Sequence, residues 1–347
     1  MKISIGMNLT TAPWGGGNQF GNVLKTYLEK SGCYVVTDLR PEDIDIILLT
    51  EPRSKLTSSA YNDRNIQKYQ KKTNGRAIVV HRINECDERK GTNYVNQLIA
   101  QANKCADCTV FISEFLKKIY STTSIDMTRA RVILNGADTQ IFYPATDQDC
   151  RQRSLPYKVV THHWGANWSK GFEVYQLIDQ LLSQAGWRKR IEFTYIGNLP
   201  ERFHFKNANH IKPLAGIDLA NELRKHDIYL TASQNEPAGM HHIEGACCGL
   251  PVLYLDSGAI PEYCGDHAIC FGKENLEQKL HEVIDHYGFW VERIKSYPYT
   301  ADKMCSEYYA LFQELTLHRE HVLARRSTEK SSGTLDRWVK EIRSLLH

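Results

Sequence analysis

Short apolar runs alternate with longer helical patterns along most of the chain, and the alternation occurs twice, on either side of a break. The first series predicts strands over 2–7, 34–37, 44–49, 77–81, 109–112 and 131–134, with helices between them, notably over 19–30 and 94–104. Val, Ile and Leu fill these strands with little apolar–polar alternation, the pattern of a parallel sheet covered by helices on both faces. Residues 135–156 carry Pro144, Pro156 and several polar residues with no sustained period, so they read as an interdomain connection. A second series follows, with strands over 158–161, 191–196, 228–230, 251–255 and 268–270 and helices over 172–184, 219–225 and 240–248. Two such halves in 347 residues imply an α/β fold of two doubly wound, Rossmann-like domains facing across a cleft.

Composition removes several other classes. Hydrophobic residues at 42% and charged residues at 24% give each half enough apolar material for its own core. A formal net charge of +3 is too small to imply a nucleic-acid partner. The opening run Met1–Gly6 is too short for a signal peptide, and no segment approaches the roughly 20 apolar residues of a membrane span. The expectation is a cytoplasmic protein. Ten cysteines, paired closely only as Cys247-Cys248 and Cys105-x-x-Cys108, read as buried thiols of a reducing compartment rather than a zinc or redox site.

The densest chemical signal runs from Asn235 to Val252. Glu236 precedes an expected helix and Glu244 lies inside it, eight positions on, while Gly239 stands just before Met240 and His241 at the helix start. A glycine there lets the backbone approach a ligand closely, and unpaired amides at a helix N-terminus suit an anion such as a diphosphate. The carboxylates can accept hydrogen bonds from sugar hydroxyls. On spacing alone the same stretch also reads as a loop, an ordinary helix and a buried strand with two solvated acids.

This stretch, with the Gly249-x-Pro251-Val252 strand and the turn from Ser257 to Glu262, resembles the Glu-x7-Glu signature of the family-4 retaining glycosyltransferases of GT-B fold. The resemblance extends to three further segments. His162 to Gly171 resembles the family's Lys-Gly donor loop, with Lys170 as diphosphate ligand; Gly165 stands where an arginine is common, leaving the second cation unassigned. Asn135-Gly136-Ala137-Asp138 through Pro144 resembles the interdomain linker, and Trp14-Gly15-Gly16-Gly17 the glycine loop that closes on the donor.

The resemblance implies a metal-independent enzyme that transfers a sugar from a nucleoside diphosphate sugar to an acceptor hydroxyl with retention, in polysaccharide or glycoconjugate assembly. It assigns Glu236 to the donor sugar and Glu244 to the ribose, with Gly16, Gly17, Gly239, Met240 and His241 near the phosphates and Leu214 near the base. His81, placed just past the end of its strand, becomes a candidate sugar contact beside Glu236 and Lys170. Asn84, Glu85 and Arg89 would form part of an acceptor wall for a glycan, a lipid-linked sugar or a protein. No cofactor is expected beyond the donor as co-substrate, with a uridine donor as the default and guanosine close behind.

Residues 1–150 would be the acceptor-side domain, 151–300 the nucleotide-sugar domain, and 301–347 helices crossing back to the first. Within the last part, Thr300 can cap a helix carrying Met304, Tyr308, Leu311, Phe312 and Leu315 on one face. An amphipathic helix over 334–347, with Trp338 and leucines on one side, permits docking on the first domain or shallow membrane contact.

Three other readings remain. A dinucleotide-binding domain would use the glycine loop and Asp38, but reading from Gly15 its third glycine position is Phe20. A GT-B-like phosphorylase, or a non-catalytic sugar-nucleotide or glycan-binding protein, would share the donor residues. Asp43-x-Asp45 mimics a metal motif, yet it precedes its strand, whereas ligands of parallel sheets gather beyond the strands' carboxyl ends.

Overall fold

The computed structural model describes residues 1–10, 16–53, 56–145 and 155–326. Trp14, Gly15 and the 334–347 helix lie outside the described residues. The first sheet contains β1 (Lys2–Ile5), β2 (Tyr34–Val36), β3 (Ile46–Leu49), β4 (Ile78–Ile83), β5 (Cys108–Phe111) and β6 (Ala130–Val132). Its order is β2-β1-β3-β4-β5-β6, and every neighbouring pair is parallel, with Ile3 beside Ile46 and Ile46 beside Ile78. The second contains β7 (Tyr157–His163), β8 (Ile191–Gly197), β9 (Asn209–Ile211), β10 (Ile228–Thr231), β11 (Val252–Leu255) and β12 (Ala268–Phe271). Its order is β12-β11-β10-β7-β8-β9, again wholly parallel.

The central strands β3, β5, β10 and β11 are buried along their whole length, as their unbroken apolar sequences require. The edge strand β9, Asn-His-Ile, is the one the sequence reading omits, because it is short, mostly exposed and has no apolar run. The strand order reverses between β1 and β3 in one sheet and between β7 and β10 in the other. Chains leaving the carboxyl ends of such neighbours diverge to opposite faces and open a crevice, which places the two sheets' functional loops.

The Ala301–Leu317 helix starts at Thr300, whose Oγ1 accepts from Lys303 N at 3.2 Å. Its buried residues Met304, Tyr308, Phe312 and Leu315 share one core with Ile3, Ile5, Leu24 and Leu28, so this helix completes the first domain. Residues 319–326 are also helical, and Arg319 reaches Asp45 at 2.6 Å while Arg326 pairs with Asp107. Asp43 pairs with Lys2 at 2.6 Å. Both acids of the Asp-x-Asp sequence are therefore engaged at the amino end of β3, away from the crevice.

The chain passes between the domains twice, and the two passages lie side by side. Ala137 N donates to Tyr299 O at 3.2 Å, and Ala301 N donates to Ala137 O at 2.8 Å. A Cβ on Gly136 would stand 2.0 Å from Thr300 O, so only glycine allows this approach. That is the physical content of the Asn-Gly-Ala-Asp sequence. Nearby, Tyr263 of the second domain donates to Ile112 O of the first at 2.6 Å and accepts from Asn135 N at 2.8 Å. Cys105 and Cys108 are free thiols, just before and at the start of β5, and the described residues contain no group of three or more His, Cys, Asp or Glu placed to hold a metal.

Candidate active site between the domains

A cleft of about 790 Å³ opens where the carboxyl ends of the two sheets face each other. From the second domain it receives the loop after β7, with Trp164, Gly165 and Lys170, and the loop after β10, with Glu236, Gly239, Met240, His241 and Glu244. Pro213 and Leu214 line one end. From the first domain come Gly16 and Gly17 at the start of the Gly16–Lys30 helix, then Arg82, Asn84, Glu85, Glu88 and Arg89 after or near the end of β4.

Glu236 is the electrostatic centre. Its Oε2 accepts from Ser233 Oγ at 2.7 Å and Lys170 Nζ at 3.0 Å, and lies 3.1 Å from Arg89 Nη2. Burial alone would raise the Glu236 pKa, but the two cations, Lys170 first, outweigh it and hold the carboxyl far below the usual carboxylate range. Lys170 is itself lowered, because burial disfavours its charge more than Glu236 favours it. The lysine sits in the Trp168–Lys170 turn, ended by Gly171 in the left-handed region, which swings the chain into the Phe172–Leu181 helix. Glu236 is fixed by the following turn: Asn235 N donates to Ser257 Oγ at 2.9 Å and Ala259 N to Glu236 O at 2.8 Å.

Gly239 has φ of 66° and precedes the Met240–Cys247 helix, whose first turn carries no side-chain cap and no acidic residue. A helix start of that kind presents its amides to an anion. His241, in this first turn, donates to or accepts from Thr231 Oγ1 at 2.7 Å and lies 4.5 Å from His163, centroid to centroid. Burial, and after it the neighbouring His163 and His242 rings, which disfavour a further charge, drive the His241 pKa well below the ordinary histidine value, so the ring is neutral. Glu244 projects from the next turn, and its Oε2 pairs with His162 Nε2 at 2.8 Å, while His162 Nδ1 faces Tyr229 OH at 3.0 Å. Glu244 lines the cleft with His162 as the partner of its Oε2. His162 thus orients Glu244, a role that its adjacency to His163 in the sequence did not reveal.

His81 does not reach the cleft. β4 continues to Ile83, two residues beyond the expected end, so His81 is an interior strand residue, 1% exposed. Its Nδ1 faces Asn103 Nδ2 at 3.1 Å, and burial lowers its pKa to about 3. The imidazole is a neutral packing group under the Val95–Asn103 helix. Asn84, Glu85 and Arg89 do line the cleft, but Arg89 turns to the opposite domain rather than to open space. Its Nη1 donates to Ser169 Oγ at 2.9 Å and Gln234 O at 3.4 Å.

The stretch 166–287, within the second domain, matches a family model described as glycosyl transferases group 1. No curated protein sequence matches the chain. Among solved structures, the chain is similar to HepE from Anabaena in complex with UDP, at 15% identity and TM-score 0.67, covering 91% of this chain and 100% of that one. It is similar to a sucrose-phosphate synthase from Thermosynechococcus elongatus at 12% identity and TM-score 0.63, over 90% and 98% of the two chains. A lipopolysaccharide outer core galactosyltransferase, WaaB, in its apo form gives 14% identity and TM-score 0.61 over 91% and 100%. At such identities the likeness is one of fold, and the fold of this chain is the two-domain α/β arrangement of the GT-B glycosyltransferases.

Proposed function

We propose that this protein is a glycosyltransferase that moves a sugar from a nucleoside diphosphate sugar to an acceptor hydroxyl, with retention, in the assembly of a polysaccharide or glycoconjugate. The observation that carries the reading is the meeting of Lys170, Glu236 and the uncapped start of the Met240–Cys247 helix on one wall of the cleft. A buried cation beside free helix amides is built for a diphosphate, and two carboxylates at either end suit sugar and ribose hydroxyls. The family match over 166–287 covers these residues and supports the same assignment.

In this reading the diphosphate lies on the amides of Met240 and His241 with Lys170 beside it. Glu236 takes the donor sugar's hydroxyls through Oε1, and Glu244 takes the ribose. Leu214, Pro213 and the half-exposed Trp164 flank the base. The bond from the anomeric carbon to the β-phosphate oxygen breaks, and its electron pair stays on that oxygen. The acceptor oxygen bonds to the same face of the anomeric carbon, and its proton passes to the departing phosphate. Negative charge grows on the diphosphate as this happens, and Lys170 with the helix amides stabilises it electrostatically. Domain closure excludes water, the competing acceptor. In this reading Lys170 and the helix amides provide this stabilisation without a metal ion. HepE was solved with UDP and with UDP-glucose, which favours uridine donors as the first to test.

A panel of UDP and GDP sugars, scored by thermal shift and by release of nucleoside diphosphate with and without acceptor glycans, tests the proposal. Transfer or slow hydrolysis of one donor is expected. Turnover that requires orthophosphate would indicate a phosphorylase, and binding with no turnover under any condition a sugar-nucleotide-binding protein.

A further inference from the structure

Among the described residues the second domain brings one lysine or arginine to the cleft, Lys170, while Arg82, Arg89 and Lys90 come from the first. A donor diphosphate carries two negative charges, and a departing nucleoside diphosphate carries about three near neutral pH. The remaining charge must be met from elsewhere. Arg89 is placed to do so. Its side chain is 8% exposed, and among the described residues its guanidinium's partners belong to the second domain: Ser169 Oγ, Gln234 O and Glu236 Oε2. Ser169 is the residue beside Lys170, so both cations converge on one point of the wall.

The cleft lining as a whole balances, with Arg82, Arg89, Lys90 and Lys170 against Glu85, Glu88, Glu236 and Glu244, but the charges around Glu236 do not. Lys170 and Arg89 share the single carboxylate of Glu236, while Glu85 pairs with Lys90 at 2.7 Å and Glu244 with His162. A buried cluster of two cations and one anion holds an uncompensated positive charge facing the cleft, which an anionic ligand relieves. Resting on the donor assignment above, we infer that Arg89 of the first domain is the second cation of the diphosphate site and binds the β-phosphate. The β-phosphate follows from position, because Arg89 contacts Glu236 at the sugar end and nothing at the Glu244 end. The arginine moves from Glu236 to the phosphate, and Glu236 is released toward the sugar. The site is then complete only when the two domains are together, since the Asp87–Lys90 helix is joined to it across the cleft, with Asn235 Nδ2 donating to Glu88 O at 3.2 Å.

The test compares nucleoside diphosphate with nucleoside monophosphate binding by calorimetry, using UDP and UMP, with GDP and GMP in parallel, on the wild-type chain, Arg89→Met and Arg89→Lys. Arg89→Met keeps the apolar stem, and Arg89→Lys keeps the charge if the first variant is unstable. The expected result is a diphosphate Kd raised about tenfold or more in Arg89→Met, the loss of one charge-assisted hydrogen-bonded contact. The monophosphate Kd changes less than twofold, and Arg89→Lys falls between wild type and Arg89→Met. Unchanged diphosphate binding, or equal loss of di- and monophosphate, would overturn the inference and leave the functional reading standing. A wild-type chain that binds neither diphosphate would overturn both.

Discussion

Lys170 Nζ stands 3.0 Å from Glu236 Oε2, joining two loops that leave the neighbouring strands β7 and β10. The pair lines the cleft and is buried, so its energetic weight lies in charge rather than in exposed solvation. Lys170→Ala and Glu236→Ala should each lower turnover at saturating donor by about a hundredfold, on the order of 3 kcal/mol of transition-state stabilisation. Circular dichroism should show an intact fold. Near-normal turnover in either variant would remove the residue from the site.

Five imidazoles, those of His81, His163, His226, His241 and His242, have their pKa lowered chiefly by burial, His81 and His242 to about 3. The unfolded chain takes up protons on them below about pH 6.5 and the folded chain does not. Stability should therefore be full above that pH and fall as the pH drops toward 3, by about 1.4 kcal/mol per pH unit for each group. Urea unfolding at pH 7.5, 6 and 5 measures this. Both ring nitrogens of His242 lack a hydrogen-bond partner among the described residues, so His242→Leu should flatten the pH slope without loss at pH 7.5.

Transfer should survive a chelator, because Lys170, Arg89 and the helix amides supply the charge that a metal would otherwise bring. Assays with and without EDTA should agree within about twofold. Loss of activity that manganese or magnesium restores would mean that the leaving group is stabilised in another way.

The close approach at Gly136 makes it the most size-sensitive position of the interdomain crossing. Gly136→Ala would drive its Cβ into the Thr300 carbonyl and should cost about 2–3 kcal/mol, read as a lower midpoint in urea. An unchanged midpoint would show that the two passages can part freely.

Much of this architecture is legible in the sequence because parallel strands buried on both faces must be apolar throughout, as in β3 and β10. Glu236, Glu244, Gly239 and Lys170, which the resemblance singles out, all line the cleft, carried there by the segments that follow β7 and β10. Local pattern fails where a partner is distant. Arg89 meets Glu236 from 147 positions away, so the resemblance put it on an acceptor wall and local pattern gave no sign of its contact with Glu236. His81 fails for another reason, since β4 runs three residues past its aliphatic stretch, through His81 and Arg82 to Ile83. Both are buried polar residues, which the apolar pattern reads as the strand's end.

The central claim is that the Lys170–Glu236 wall is where a nucleoside diphosphate sugar reacts. Its most direct test is the rate of nucleoside diphosphate release from the preferred donor, measured side by side for wild type, Lys170→Ala and His81→Ala. The account predicts that Lys170→Ala loses about two orders of magnitude. His81→Ala, altered only in packing, should turn over normally per folded molecule while melting at a lower temperature. Normal release by Lys170→Ala together with loss in a stably folded His81→Ala would contradict it.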